Sequence, residues 1–202
     1  MQNCGAALEN FCGMETLLQS PEMLLISSDW DRFWNSCGYA VGDLPVPLQR
    51  PSFDRLLVVP KGLTTERMFQ ICKGLFPCHK YVRDDFDDFI TINSRTAENG
   101  SYAIWIRDRV EADEEFKNKS ARYLKTAGHT GITVLERLVY EAKYFKETGE
   151  HLDIENVTMC SGSRNCYGSV LGVDFNGICL SIDWHFVGTY HDSLRSREVI
   201  TA

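Results

Sequence analysis

The sequence predicts an α+β protein, or an irregular α/β one, with a mixed and largely antiparallel sheet and helices at its periphery. Three observations carry that reading: several short runs alternate with the period of a strand, the stretch from Leu135 to Phe145 repeats with the period of a helix, and only one strand runs directly into a helix. One strand-helix unit, RLLVVP followed by the segment from Thr64 to Phe76, is too little for a doubly wound sheet.

The elements follow in order. Leu8, Phe11, Met14 and Leu18 recur at helical spacing until Pro21, and Ser28 with Asp31 forms a capping-box pattern for a short helix carrying Phe33 and Trp34. The three prolines of GDLPVPLQRPS rule out a central strand. The domain reading is therefore one domain over residues 1–202, with an N-terminal helical segment 1–41 and a Pro-rich linker 42–52. Next comes a strand at Arg55, then a helix capped by Thr64 or Thr65 whose apolar face includes Met68, Phe69, Cys72 and Phe76.

FITINSRT and SYAIWIR, joined by the turn-like AENG, predict a hairpin. Asp108 and Glu111 suggest a capped helix through EADEEFK, and Ser120 a short helix before Gly128. Thr133 and Glu136 open the best helix. Its stripe is Leu135, Leu138, Ala142 and Phe145, its charged residues Arg137, Glu141, Lys143 and Glu147 largely avoid that stripe, and Gly149 ends it. VDF, Asn176-Gly177 and ICLSIDW predict a second hairpin with Ile178, Leu180, Ile182 and Trp184 on one face and Cys179, Ser181, Asp183 and His185 on the other.

Composition narrows the function. The chain has 202 residues, a formal charge of -7 and eight cysteines. The charge argues against nucleic acid and anionic membranes as partners. No apolar run reaches the roughly 18 to 20 residues of a membrane span, and the N-terminus has no secretory pattern, so a cytoplasmic protein with mostly reduced, buried thiols is expected. Neither a P-loop nor a G-x-G-x-x-G motif is present.

The chemistry concentrates between Thr158 and His185. In MCSGSR, a small-residue loop could present backbone N–H groups while Ser161, Ser163 and Arg164 bind a small anionic ligand; a tight structural connection is the alternative. Asp183 and His185 share a strand face and make a candidate catalytic pair, and with Asp174 from the opposing strand they form a candidate divalent-metal set, the one cofactor the pattern admits. Cys160 and Ser161 are further nucleophile candidates, with His151, His185 or His191 as base. RLLVVPKGLT, SYAIWIRDRVEADEE, the TxxE helix and MCSGSR together resemble small uncharacterised bacterial proteins, a resemblance that brings no activity and no residue roles with it.

These features point to a ligand-binding or protein-interaction domain, with a metal-assisted hydrolase acting on an anionic substrate as the alternative. Expected partners are a protein or a small anionic ligand, and a homodimer is expected from the prevalence of two-fold assemblies. An exposed Trp in an uncharged patch favours interaction; Arg164, Asp183 and His185 converging in a cleft favours the enzyme.

Overall fold

The computed structural model describes residues 21–202 with the exception of residue 43. The periodic segment Leu8 to Leu18 therefore lies outside the described residues. The chain divides into two compact units, Met1–Val41 and Gly42–Ala202.

In the first unit, helix α1 spans Pro21–Ser36. Pro21 opens this helix, where a missing N–H costs nothing. Ser28 is not a cap but sits inside the helix, its hydroxyl bonding back to the Leu25 carbonyl at 2.9 Å. Trp30, Phe33, Trp34 and Tyr39 form an aromatic cluster with ring separations from 4.8 to 6.1 Å.

The second unit is a mixed α+β fold. In chain order its elements are β1 (Arg55–Val59), α2 (Thr65–Leu75), β2 (Cys78–Lys80), α3 (Phe86–Phe89), β3 (Ile90–Asn93), β4 (Tyr102–Ile106), a 3₁₀ turn Glu114–Phe116, α4 (Ala121–Thr126), α5 (Val134–Thr148), β5 (Val157–Cys160), β6 (Ser163–Asn165), β7 (Val170–Phe175), β8 (Leu180–His185) and β9 (Leu194–Arg195). The largest sheet has the order β2-β8-β7-β5-β9, and β1-β4 and β3-β6 are separate pairs. β2 against β8 and β5 against β9 are parallel, and the remaining pairings are antiparallel.

Local signals account for the helix ends. Thr64 accepts from the Arg67 N–H, Ser120 from the Tyr123 N–H, and Thr133 with Glu136 closes a reciprocal capping box. Gly149 ends α5 at φ 76°, a left-handed conformation that favours glycine.

Three local expectations give way to tertiary structure. First, FITINSRT and SYAIWIR do not form a hairpin: β3 pairs with β6, and β4 pairs with β1 from Arg55↔Ile106 to Val59↔Tyr102. Second, EADEEFK forms only the 3₁₀ turn, because Glu111 turns away to accept from the backbone N–H groups of Ile154, Glu155 and Asn156 at 3.0 to 3.1 Å. Third, the β7–β8 connection is a four-residue loop in which the Asn176 side chain accepts from the Ile178 and Cys179 N–H groups, rather than a two-residue turn.

The charged residues of α5 are the largest surprise. Arg137 and Glu141 are fully buried and Lys143 nearly so, so this helix is enclosed on both its apolar and its charged sides. Arg137 donates to Glu141 at 2.7 Å and to Asp153 at 2.8 Å, while Arg197 reaches the other oxygen of Asp153 at 2.7 Å. Two buried guanidinium groups thus face two buried carboxylates, which is how a charged helix face tolerates exclusion from water. His151 completes the chain, 2.7 Å from Glu141 and stacked 3.6 Å from the Phe175 ring.

Candidate functional site

The MCSGSR loop is tied down from several directions. The Gly162 N–H donates to the Ile132 carbonyl at 2.9 Å, and the Gly162 carbonyl accepts from the Ser94 N–H at 2.8 Å. A Cβ on Gly162 would lie 2.6 Å from the Gly131 oxygen, so glycine here permits a close crossing of two backbones. The Ser161 hydroxyl meets that of Ser196 at 2.9 Å. Ser163 is fully buried; its hydroxyl donates to Asn93 Oδ1 at 2.6 Å and accepts the Val134 N–H at 3.0 Å, at the start of α5.

Arg164 is half-buried, and its Nη1 donates to the Ser161 and Ser163 carbonyls at 2.8 and 2.6 Å. Burial lowers its pKa, and among the described residues no carboxylate forms an ion pair with it.

Asp174, Asp183 and His185 lie on a common sheet face, because β7 and β8 pair in the register Gly172↔Asp183 and Asp174↔Ser181. Gly172 is the floor beneath them: a Cβ there would sit 2.8 Å from His185 Nε2 and 2.9 Å from Asp183 Oδ1. Those two atoms are 2.9 Å apart, yet the contact lacks hydrogen-bond geometry and neither buried atom has another partner among the described residues. The Asp174 carboxyl is pushed up to about 6, first by burial and then by the Asp183 charge beside it. Among the described residues no group of three or more His, Cys, Asp and Glu side chains is arranged to hold a metal ion.

The nucleophile candidates are not brought together with a base. Cys160 is fully buried, and desolvation pushes its thiol far above the ordinary cysteine value. His151 is engaged with Glu141, and His191 with Ser193 at 2.8 Å.

A cleft of about 470 Å³ lies elsewhere, between the start of α2, α3, β3 with the segment after it, and the first turn of α5. Leu63, Phe86, Ile90, Ala97 and Leu135 supply a buried apolar lining. Gly62 closes one side with φ 78° and an N–H bond of 2.8 Å to the Ala97 carbonyl. Compared with known proteins, the chain matches no family model, no curated protein and no solved structure.

Three polar side chains of this cleft, Arg95, Asn93 and Asp87, are held in place by the protein. Arg95 is clamped by Glu136 through two bonds of 2.6 and 2.7 Å and by the Gly131 carbonyl at 2.8 Å. Asn93 is fixed by Ser163 through its oxygen, and among the described residues its amide nitrogen has no hydrogen-bond partner. Asp87 caps the first turn of α2 by accepting from the Glu66 N–H at 3.1 Å, so the positive helix end already faces a carboxylate from within the chain. None of Arg164, Asp174, Asp183 and His185 lines the cleft.

Sequence reasoning missed these residues because they come from four separate segments. The one local signal was the PKGLT turn, a glycine immediately before a capped helix.

Proposed function

We propose that this protein is a ligand-binding domain whose site is the cleft between the start of α2 and the Asn93–Glu98 segment. The observation that carries the reading is a volume of about 470 Å³ that combines buried apolar residues with the held side chains of Asn93, Arg95 and Asp87, a combination that small-molecule sites use. Arg95 has its charge matched by Glu136, and the carboxylates at the cleft belong to Asp87 and Glu98. A mostly apolar molecule that is neutral or cationic at its polar end suits that lining better than an anion does. Asn93 supplies a hydrogen-bond donor to it.

The test is a thermal-shift screen of small molecules against the protein and a Thr96→Trp variant, which fills the cleft from an exposed position. Compounds that raise the Tm of the wild type and leave the variant unmoved support the reading. Stabilisation that survives Thr96→Trp places the ligand elsewhere and sinks it.

The alternative, a metal-assisted hydrolase, draws support from the shared face of Asp174, Asp183 and His185 and from the raised Asp174 carboxyl. It lacks a three-ligand arrangement among the described residues, and the Arg164 meant to hold the substrate has one nitrogen committed to its own loop.

A further inference from the structure

Strand β8 outruns its neighbour. β2 pairs with Leu180 to Ile182, while β8 continues through Asp183, Trp184 and His185 with β7 as its one strand neighbour among the described residues. The Leu180 N–H donates to Pro77 and the Ile182 carbonyl accepts from Tyr81, both at 2.9 Å and both on the β2 side. By strand alternation the N–H and carbonyl of Trp184 continue that row, and among the described residues no strand lies next to them.

Two large aromatic side chains mark the same place. Trp184 is 45% exposed and Phe186 69% exposed, with ring centroids 5.7 Å apart. An open edge beside exposed aromatic area invites pairing with another strand.

We propose that this edge joins a second copy of this chain, β8 to β8, antiparallel about Trp184. The open stretch is self-complementary. An antiparallel two-fold centred on Trp184 sets Trp184 opposite its own copy, where the two residues exchange both backbone hydrogen bonds, and sets Asp183 opposite His185 in each direction. A carboxylate facing an imidazole directly across a strand pair is favourable, whereas two like charges are not. Asp183, with 42% of its side chain exposed, is available for that partner. The register also fits in length: three residues of β8 are open, and β8 ends at His185. The outcome is a continuous sheet of two copies of β2-β8-β7-β5-β9, with Trp184 and Phe186 of both copies covering one face of the junction.

Analytical ultracentrifugation across a concentration series tests this on the full chain. The wild type is expected to dimerise, and Trp184→Asp and Asp183→Lys each to weaken the dimer at least about 30-fold, the scale of an interface hot spot. Asp183→Lys combined with His185→Glu restores complementarity across the two-fold and should recover the dimer. Circular dichroism confirms that each variant is folded. A wild type that stays monomeric at every concentration, a dimer indifferent to Trp184→Asp, or a charge swap that recovers nothing overturns the proposal, the first outcome leaving the aromatic edge to a different chain.

Discussion

Replacing Asp153 by Asn should be among the most damaging single-atom changes available to this protein. Asp153 is fully buried and accepts from Arg137 Nε at 2.8 Å, Arg197 Nη2 at 2.7 Å, the Ala112 N–H at 2.8 Å and the Thr158 hydroxyl. Its backbone has φ 54°, a conformation asparagine adopts readily, so the substitution tests charge and not backbone strain. It leaves two buried guanidinium groups facing the single carboxylate of Glu141, and one amide N–H group now confronts a donor. Breaking a buried ion pair from one side costs about 3 to 5 kcal/mol. For a chain of this size that corresponds to a fall in Tm of about 6 to 20 °C. With a urea m-value near 2 kcal/mol/M the denaturation midpoint drops by about 1.5 to 2.5 M. The control is Glu115→Gln, which breaks the exposed pair with Arg109 and should cost at most about 1 kcal/mol. Equilibrium urea unfolding of both variants decides the matter: a loss below about 1 kcal/mol for Asp153→Asn would refute the view that this network holds the unit together.

Asp174, Ser163 and Arg164 give further tests on the strand face and in the loop. The Asp174 carboxyl sits at about 6 in the fold, above the ordinary value of 3.8, so the folded state holds the proton more tightly; its contribution to stability is present at low pH and lost as pH rises through about 6. Asp174→Asn should therefore raise Tm at pH 7.5, with the gain over wild type shrinking as pH falls through about 6 and gone by about pH 3; a scan of Tm against pH that shows no gain at pH 7.5 contradicts this. Ser163→Ala should destabilise by about 1 to 3 kcal/mol, because it leaves the buried Val134 N–H without its acceptor, and it should weaken any cleft ligand through Asn93. Arg164→Ala should leave that ligand's Kd unchanged, as calorimetric titration of both variants would show.

The sequence was most legible where structure is decided within one turn. The caps at Thr64, Ser120 and Thr133 and the stop at Gly149 need only neighbours three or four residues away, and each stands where the residues place it. The antiparallel pairing of β7 with β8 was legible, but that of β3 and β4 was not, because each had a nearby candidate partner and chose a distant one, β6 and β1. The turn chemistry of AENG gave no warning that Ala97 would instead receive the Gly62 N–H. Burial of charge was equally hidden. Arg137 and Glu141 look like a solvated helix face until Asp153 and Arg197, more distant in the chain, arrive to enclose them. The Asp174, Asp183 and His185 face follows from strand alternation alone, whereas the glycine floor at Gly172 that lets two of them close over β7 depends on a cross-strand register that local pattern does not encode.

The MCSGSR loop drew attention for a property that the fold uses differently. A loop of small residues can approach an anion closely, but it can equally approach another backbone, and Gly162 does the second, meeting Gly131 and Ser94. From that crossing the loop reaches the cleft from behind. Ser163 holds the oxygen of Asn93 while starting α5, and Gly131, pressed against Ser161, offers its carbonyl to Arg95. Both polar groups that give the cleft its directionality are thus positioned by contacts to this loop or to the strand segment crossing it. Small residues were required there because two chains must pass within contact distance to bring the end of β3 and the first turn of α5 together. A bulkier loop would separate those elements and open the wall between Asn93 and Leu135. The density of serine and glycine in MCSGSR is therefore tied to the architecture of the cleft, while the loop's own N–H and hydroxyl groups serve the protein.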